Sequence, residues 1–196
     1  MMMTKIIGLT GGIGSGKTTV IRYIASKNIP VYIADDAGKR IMETPEIIQK
    51  VNDLFNGDVL LTNELLDRKK IATIVFNDKQ KLELLNGIVH PAVALDFEQF
   101  KEAHKAERII VKESAILFES GAYKACDYNV LVTAPEVIRV ERVVKRDQIS
   151  QEEVLKRIQN QMRDEEKQKL SDFVIINIDL QETYRQVDKM LDLVLT

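Results

Sequence analysis

The run GLTGGIGSGKTT at residues 8–19 sets glycines, one lysine and several hydroxyls where a phosphate chain could be held. It contains G-x-x-x-x-G-K-[ST], filled by Gly11, Gly16, Lys17 and Thr18. Each residue type has its own reason to be there. Glycines let the backbone turn tightly and aim several N–H groups at one anion. Lys17 supplies a point charge to the β- and γ-phosphates, and Thr18 offers a hydroxyl to Mg²⁺. A helix opening at this point directs its positive end at the same phosphates. The contacts to a nucleotide such as ATP therefore fall on Gly12, Ile13, Gly14, Ser15, Gly16, Lys17, Thr18 and Thr19.

The elements such a loop needs are present on both sides. Lys5–Thr10 is a short, largely apolar run stopped by glycines, as a buried parallel strand would be. Val20, Ile21, Ile24 and Ala25 then recur at helical spacing. A glycine-rich turn with no ligand would not need Gly-Lys-Thr together.

A phosphate needs a recipient, and a kinase needs a group that orients or deprotonates the acceptor. The second apolar run ends in IADD, which puts Asp35 and Asp36 at a strand edge. Either could take a proton or hold water around Mg²⁺. Either could instead cap a helix beginning at Ala37, and strand alternation alone does not say which does what. His90 lies in VHP, where Pro91 would start a new helix with His90 just outside it, within reach of a phosphate; the alternative is a surface histidine. His104, in KEAHKAER, reads as solvent-facing. Glu113 and Glu119 flank the apolar AILF, and either could line the cleft.

Further along, Pro135 is placed to begin a helix on which Arg139, Arg142 and Arg146 share one face. That face is either solvated or the underside of a lid that brings cations over the migrating phosphoryl group and excludes water. Ser150 and Glu153 in SQEE form a capping-box pattern for a helix over about 150–168.

Strand-like runs alternate with helical ones: 6–10, 30–34, 108–114, 128–134 and 173–177. This order predicts an α/β fold with a parallel sheet and crossover helices. The second and third runs are separated by helical patterns around 45–55, 64–76 and 78–106, too many for one crossover, and read as an inserted helical subdomain. The chain closes with an amphipathic helix over 180–196 bearing Val187, Leu191 and Leu195 on one face.

At 196 residues the chain supports one domain with insertions. Its net charge of −2 gives no general attraction to nucleic acid or anionic membrane. No apolar run approaches the ~18–20 residues of a membrane span, no signal peptide is visible, and the leading MMM carries no inference. One cysteine, Cys126, excludes an internal disulfide and reads as inert. A cytoplasmic protein is the simplest reading.

Taken together, several segments resemble the dephospho-coenzyme A kinases. The match runs in order along nearly the whole chain: GLTGGIGSGKTT (8–19), AD with a nearby basic residue (34–40), HP (90–91), ILFESGAYKACD (116–127), VLVTAP (130–135), RVVKRDQISQEEVLKRIQNQ (142–161) and DFVIIN (172–177). The first segment says only nucleotide binding; the LFE-x-G-x-Y-K run and the charged 142–161 segment are much more specific.

The resemblance implies transfer of the γ-phosphate of ATP to the ribose 3′-hydroxyl of dephospho-CoA, giving CoA and ADP, the last step of coenzyme A synthesis. It implies a P-loop NTPase three-layer fold with a parallel five-stranded sheet. The nucleotide core would span about 1–44, 107–140 and 170–196, the helical CoA-binding insertion about 45–106, and the lid about 141–169. By the same resemblance the catalytic aspartate is Asp35, acting with Lys17 and Arg142, and Asp36 either caps the helix or supports Asp35 from behind. His90 and Glu119 join Asp35 on the acceptor side, Arg142 and Arg146 lie near ATP, and Asn177 belongs to the adenine surroundings. Mg²⁺ would be held at Thr18. The partners implied are ATP and dephospho-CoA, with no nucleic acid or membrane, in a monomer or weak homo-oligomer.

The pattern departs at three places. Ile33 stands where D-A-D has its first aspartate, Ala115 stands where P-L-L-F-E has proline, and Thr18 replaces the commoner serine. None removes a group that the chemistry requires. A nucleoside monophosphate kinase or shikimate kinase would share the loop and lid but not the LFE-x-G-x-Y-K and HP segments. A regulatory GTPase would need N-K-x-D, which does not occur.

Overall fold

The computed structural model describes residues 4–196; the leading methionines lie outside the described residues. All five predicted strand runs form strands: β1 (Lys5–Thr10), β2 (Val31–Ile33), β3 (Ile109–Glu113), β4 (Tyr128–Thr133) and β5 (Phe173–Ile176). They make one sheet in the order β2-β3-β1-β4-β5, every neighbouring pair parallel. Strands covered on both faces read as unbroken apolar runs, and Ile6 through Thr10 are buried without interruption. Leu9 stands opposite Glu113 on one side and Val130 on the other. The loop that follows β1 therefore emerges between the carboxyl ends of β3 and β4.

The helices are, in chain order, α1 (Lys17–Ser26), α2 (Ala34–Ile41), α3 (Pro45–Leu54), α4 (Arg68–Asn77), α5 (Lys79–Ala103), α6 (Glu136–Asp147), α7 (Gln151–Gln159), α8 (Asp164–Lys169) and α9 (Leu180–Leu195). None of those described is long and apolar enough to cross a membrane. The chain separates into two compact units.

The first unit combines the chain up to Ile33 with His104–Thr196. Its core packs Ile7, Leu9, Val111, Val130 and Ile175 of the sheet against Val20 and Ile24 of α1 and Val187, Met190 and Leu191 of α9. Helix α9 opens on Asp179, whose carboxylate accepts from Glu182 N–H. A smaller apolar cluster joins Val140 and Val143 of α6 to Val154 of α7, with Ile13 of the glycine loop packed against it. The capping box forms as the sequence predicts, with Ser150 and Glu153 exchanging bonds at the start of α7. The single helix predicted over about 150–168 is broken after Gln159, and α8 starts afresh at Asp164. No glycine or proline marks that break; the side chains of Gln161 and Asp164 are drawn to tertiary partners described below.

The second unit, Ala34–Ala103, is helical, and it begins directly after β2 rather than at about 45. Helix α2 follows the strand without a loop, and α2, α3 and α4 all pack on the long α5. Pro91 does not start a helix: it lies inside α5. A proline within a helix loses one hydrogen bond and crowds the carbonyl four residues earlier. Here that residue is Gly87 of the same helix.

Candidate active site

The carbonyl groups of the glycine loop are all engaged by protein donors. The Gly11 oxygen accepts from Lys17 Nζ at 2.7 Å and the Gly12 oxygen from Ser15 N–H at 3.1 Å. Arg139 Nε donates to the Ile13 oxygen at 3.0 Å, and Arg142 Nη1 reaches the Gly14 oxygen at 3.4 Å. Asn177 Nδ2 donates to the Ser15 oxygen at 2.9 Å, and the Gly16 oxygen takes the first bonds of α1. Because a peptide unit is planar and trans, a carbonyl held on one side points the next N–H the opposite way. Among the described residues no protein acceptor takes the amides of Gly14, Gly16 or Thr18. The result is a concavity of free donors at a helix N-terminus, an anion site.

Two glycines are required by geometry. Gly14 and Gly16 have φ of +77° and +87°, conformations that side chains resist. A Cβ at Gly14 would also lie 2.4 Å from the Arg139 backbone oxygen.

The loop borders a cleft of about 450 Å³ also lined by Ala115, Arg142, Arg146 and Gln161. Lys17 Nζ is 3.9 Å from Glu113 Oε1, a buried carboxylate at the end of β3. The three arginines of α6 diverge. Arg139 is buried and ion-paired to Asp164 at 2.8 Å, whereas Arg142 and Arg146 border the cleft. Arg146 is gripped by Asp147 through two bonds, 2.6 and 3.0 Å, and Asp147 also accepts from Arg157 of α7. That grip raises the Arg146 pKa and lowers that of Asp147.

Two residues assigned to ligands by resemblance have further tasks. Asn177 is buried, with its amide on Ser15 and its oxygen accepting from Thr183 Oγ1 at 3.1 Å. Glu119 lies 3.0 Å from the ammonium of Lys167, a lysine with no exposed surface. Cys126 is half-buried, and burial pushes its thiol up to about 11, in keeping with an inert side chain.

In the helical unit, Asp35 and Asp36 occupy the first turn of α2, which begins at Ala34 and not at Ala37. Neither precedes the helix as a cap. Asp36 pairs with Lys39 at 2.8 Å and raises its pKa, whereas Asp35 is exposed and has no hydrogen-bond or ion-pair partner among the described residues. His90, expected just before a helix start, is an exposed residue within α5. His104 follows α5 and is half-buried rather than solvent-facing.

Sequence reasoning missed the parts played by Gln161, Asp164, Lys167 and the buried Arg139. The first three sit in the polar stretch RIQNQMRDEEK and Arg139 in the charged helix EVIRVERVVKRD, where a buried charge leaves no mark in hydropathy. Gln161 accepts from Ile13 N–H at 2.9 Å. Glu113, named from the sequence as one of two carboxylates that could line the cleft, ends the apolar run RIIVKE beside the glycine-loop strand, next to Lys17.

Comparison with known proteins bears on what the cleft serves. A shikimate kinase from Bacteroides thetaiotaomicron shares the fold, with a TM-score of 0.52 at 14% identity over 98% of this chain and 99% of that one. The structure of TT1252 from Thermus thermophilus is much nearer, with a TM-score of 0.89 and 34% identity over 99% of each chain. A dephospho-CoA kinase of Fusobacterium nucleatum is 39% identical over 192 residues, 97% of this chain and 99% of its own length. The family model described as dephospho-CoA kinase matches residues 5–182, from β1 through the start of α9. With glycine loop, arginine helix and helical insertion all inside that match, the chain belongs to the dephospho-CoA kinase family.

Proposed function

We propose that this protein transfers the γ-phosphate of ATP to the ribose 3′-hydroxyl of dephospho-CoA, giving CoA and ADP. The observation that carries the reading is the glycine loop with its carbonyls engaged by protein donors and the amides of Gly14, Gly16 and Thr18 free, built into a chain of this family. In the reaction the 3′-oxygen forms a bond to the γ-phosphorus while the bond to the β–γ bridging oxygen breaks. Lys17, Arg142 and Arg146 offset the charge on the transferring group, the main demand of phosphoryl transfer. Asp35, exposed and unpaired just after β2, orients the hydroxyl and receives its proton. His90 and Glu119 contact the acceptor, the latter with its carboxylate steadied by Lys167. Asn177 borders the adenine while holding Ser15.

The donor set fits Mg²⁺. Thr18 offers an exposed hydroxyl in the first turn of α1, and Glu113 a buried carboxylate beside Lys17. Among the described residues no three carboxylates, cysteines or histidines gather as a cage. Mg²⁺ keeps water and phosphate oxygens as most of its ligands and needs no such cage. When bound, the ion would offset negative charge on the phosphate chain, held by Thr18 and approached by Glu113. The net charge of −2 and the single cysteine support a cytoplasmic enzyme of small molecules with no nucleic-acid or membrane partner; the proposed assembly is a monomer or weak homo-oligomer.

Product mapping tests the regiochemistry. Incubation with Mg·ATP and dephospho-CoA should yield material identical to CoA, with the new phosphate on the 3′-oxygen. A 2′-phosphorylated product, or none, contradicts the reading.

A further inference from the structure

Ile13 of the glycine loop has its amide, carbonyl and side chain all engaged by the stretch that runs from α6 to the turn after α7. Its N–H donates to Gln161 Oε1 at 2.9 Å, and its oxygen accepts from Arg139 Nε at 3.0 Å. Its side chain packs against the cluster of Val140, Val143 and Val154. Arg139 is itself fixed. Nη1 lies 2.8 Å from Asp164 Oδ2, the same oxygen that accepts from Thr133 Oγ1 at the end of β4. The Arg139 side chain is 6% exposed, so its charge depends on Asp164 for compensation.

This clamp has a consequence for the nucleotide. The Ile13 carbonyl and the Gly14 amide belong to one planar peptide unit and point opposite ways. By pulling the Ile13 oxygen outward, Arg139 turns the Gly14 N–H, which no protein acceptor takes, toward the concavity. Gln161 adds the neighbouring restraint by occupying the Ile13 amide.

We propose that Arg139, Asp164 and Gln161 are positioning residues that set the glycine loop for a phosphate chain, making the docked lid and the loop one structural unit. Asp164 acts through Arg139 and does not border the cleft. This deepens the kinase reading and rests on it for the identity of the acceptor.

The test compares wild type with Asp164→Asn and Gln161→Met. ADP affinity is measured by titration calorimetry, both KM values by steady-state kinetics, and Tm by thermal unfolding. Loss of bonds to a charged or buried partner should weaken ADP binding and raise KM for ATP about tenfold. KM for dephospho-CoA should stay close to wild type in both variants, and Tm should do so in Gln161→Met, whereas Asp164→Asn lowers Tm because it leaves the buried Arg139 charge uncompensated. ADP affinity within twofold of wild type in both variants overturns the proposal. So does a parallel rise of both KM values with a falling Tm, which marks a merely structural role. If Asp164→Asn does not fold, Gln161→Met, altered at a partly exposed side chain, decides alone. ADP binding needs no acceptor, so a wild type silent toward dephospho-CoA would sink the kinase reading and leave this test intact.

Discussion

Asn177 and Gly16 fit each other so closely that neither can change alone. The Asn177 amide bonds the Ser15 oxygen from the protein interior, and a Cβ at Gly16 would lie 1.9 Å from that amide nitrogen. Gly16→Ala should therefore abolish nucleotide binding, since it combines this clash with a φ of +87°. Asn177→Ala leaves the Ser15 oxygen and the Thr183 hydroxyl short of a partner, and should cost about 1–3 kcal/mol of stability. Chemical denaturation and ADP titration check both. Normal ADP affinity in Gly16→Ala would mean that the loop is not held in this way.

Lys167 is buried without exposed surface, and its carboxylate partner, Glu119, sits 3.0 Å away with its side chain partly exposed. Removing one partner of a buried ion pair is strongly destabilising, whereas replacing both by apolar groups is often neutral. Lys167→Met should cost about 3 kcal/mol in urea unfolding, and adding Glu119→Leu should recover most of it. Additive losses in the double variant would show that the two do not act as a pair.

Glu113 predicts a metal dependence. Glu113→Gln should leave the fold intact, because the amide keeps the shape of the side chain, and should raise the Mg²⁺ concentration needed for half-maximal turnover. Lys17→Ala should cripple both nucleotide binding and turnover, and added Mg²⁺ should not rescue it. An unchanged Mg²⁺ requirement in Glu113→Gln would remove Glu113 from the metal's surroundings.

Much of this was legible in the residues, and the failures share a cause. Each strand run, the glycine loop, the Ser150–Glu153 box and the closing helix carry their signal locally, in periodicity or capping chemistry. Pro91 misled because the helix it should have started was already favoured by packing against α2, α3 and α4. The break between α7 and α8 and the tasks of Arg139, Gln161 and Lys167 depend on partners far away in the chain, from Glu119 for Lys167 to Ile13 for Arg139 and Gln161. Polar residues in a charged stretch look solvated until those partners are known. The choice between Asp35 and Asp36 was undecidable from alternation; pairing of Asp36 with Lys39 leaves Asp35 as the unpaired carboxylate.

That unpaired carboxylate makes the sharpest catalytic prediction. Asp35→Asn should bind ATP nearly as wild type and lose about two orders of magnitude or more in turnover, the scale of a general base. It should also leave Tm nearly unchanged, because Asp35 is exposed and holds nothing in place. Normal turnover would sink the role assigned to it.

The most direct measurement is ADP release from Mg·ATP by the purified protein, with dephospho-CoA, AMP, CMP and shikimate each offered alone. A dephospho-CoA kinase should release ADP at a substantial rate with dephospho-CoA and only at background with the other three. Turnover with a monophosphate or shikimate in its place, or silence with all four, would contradict the account.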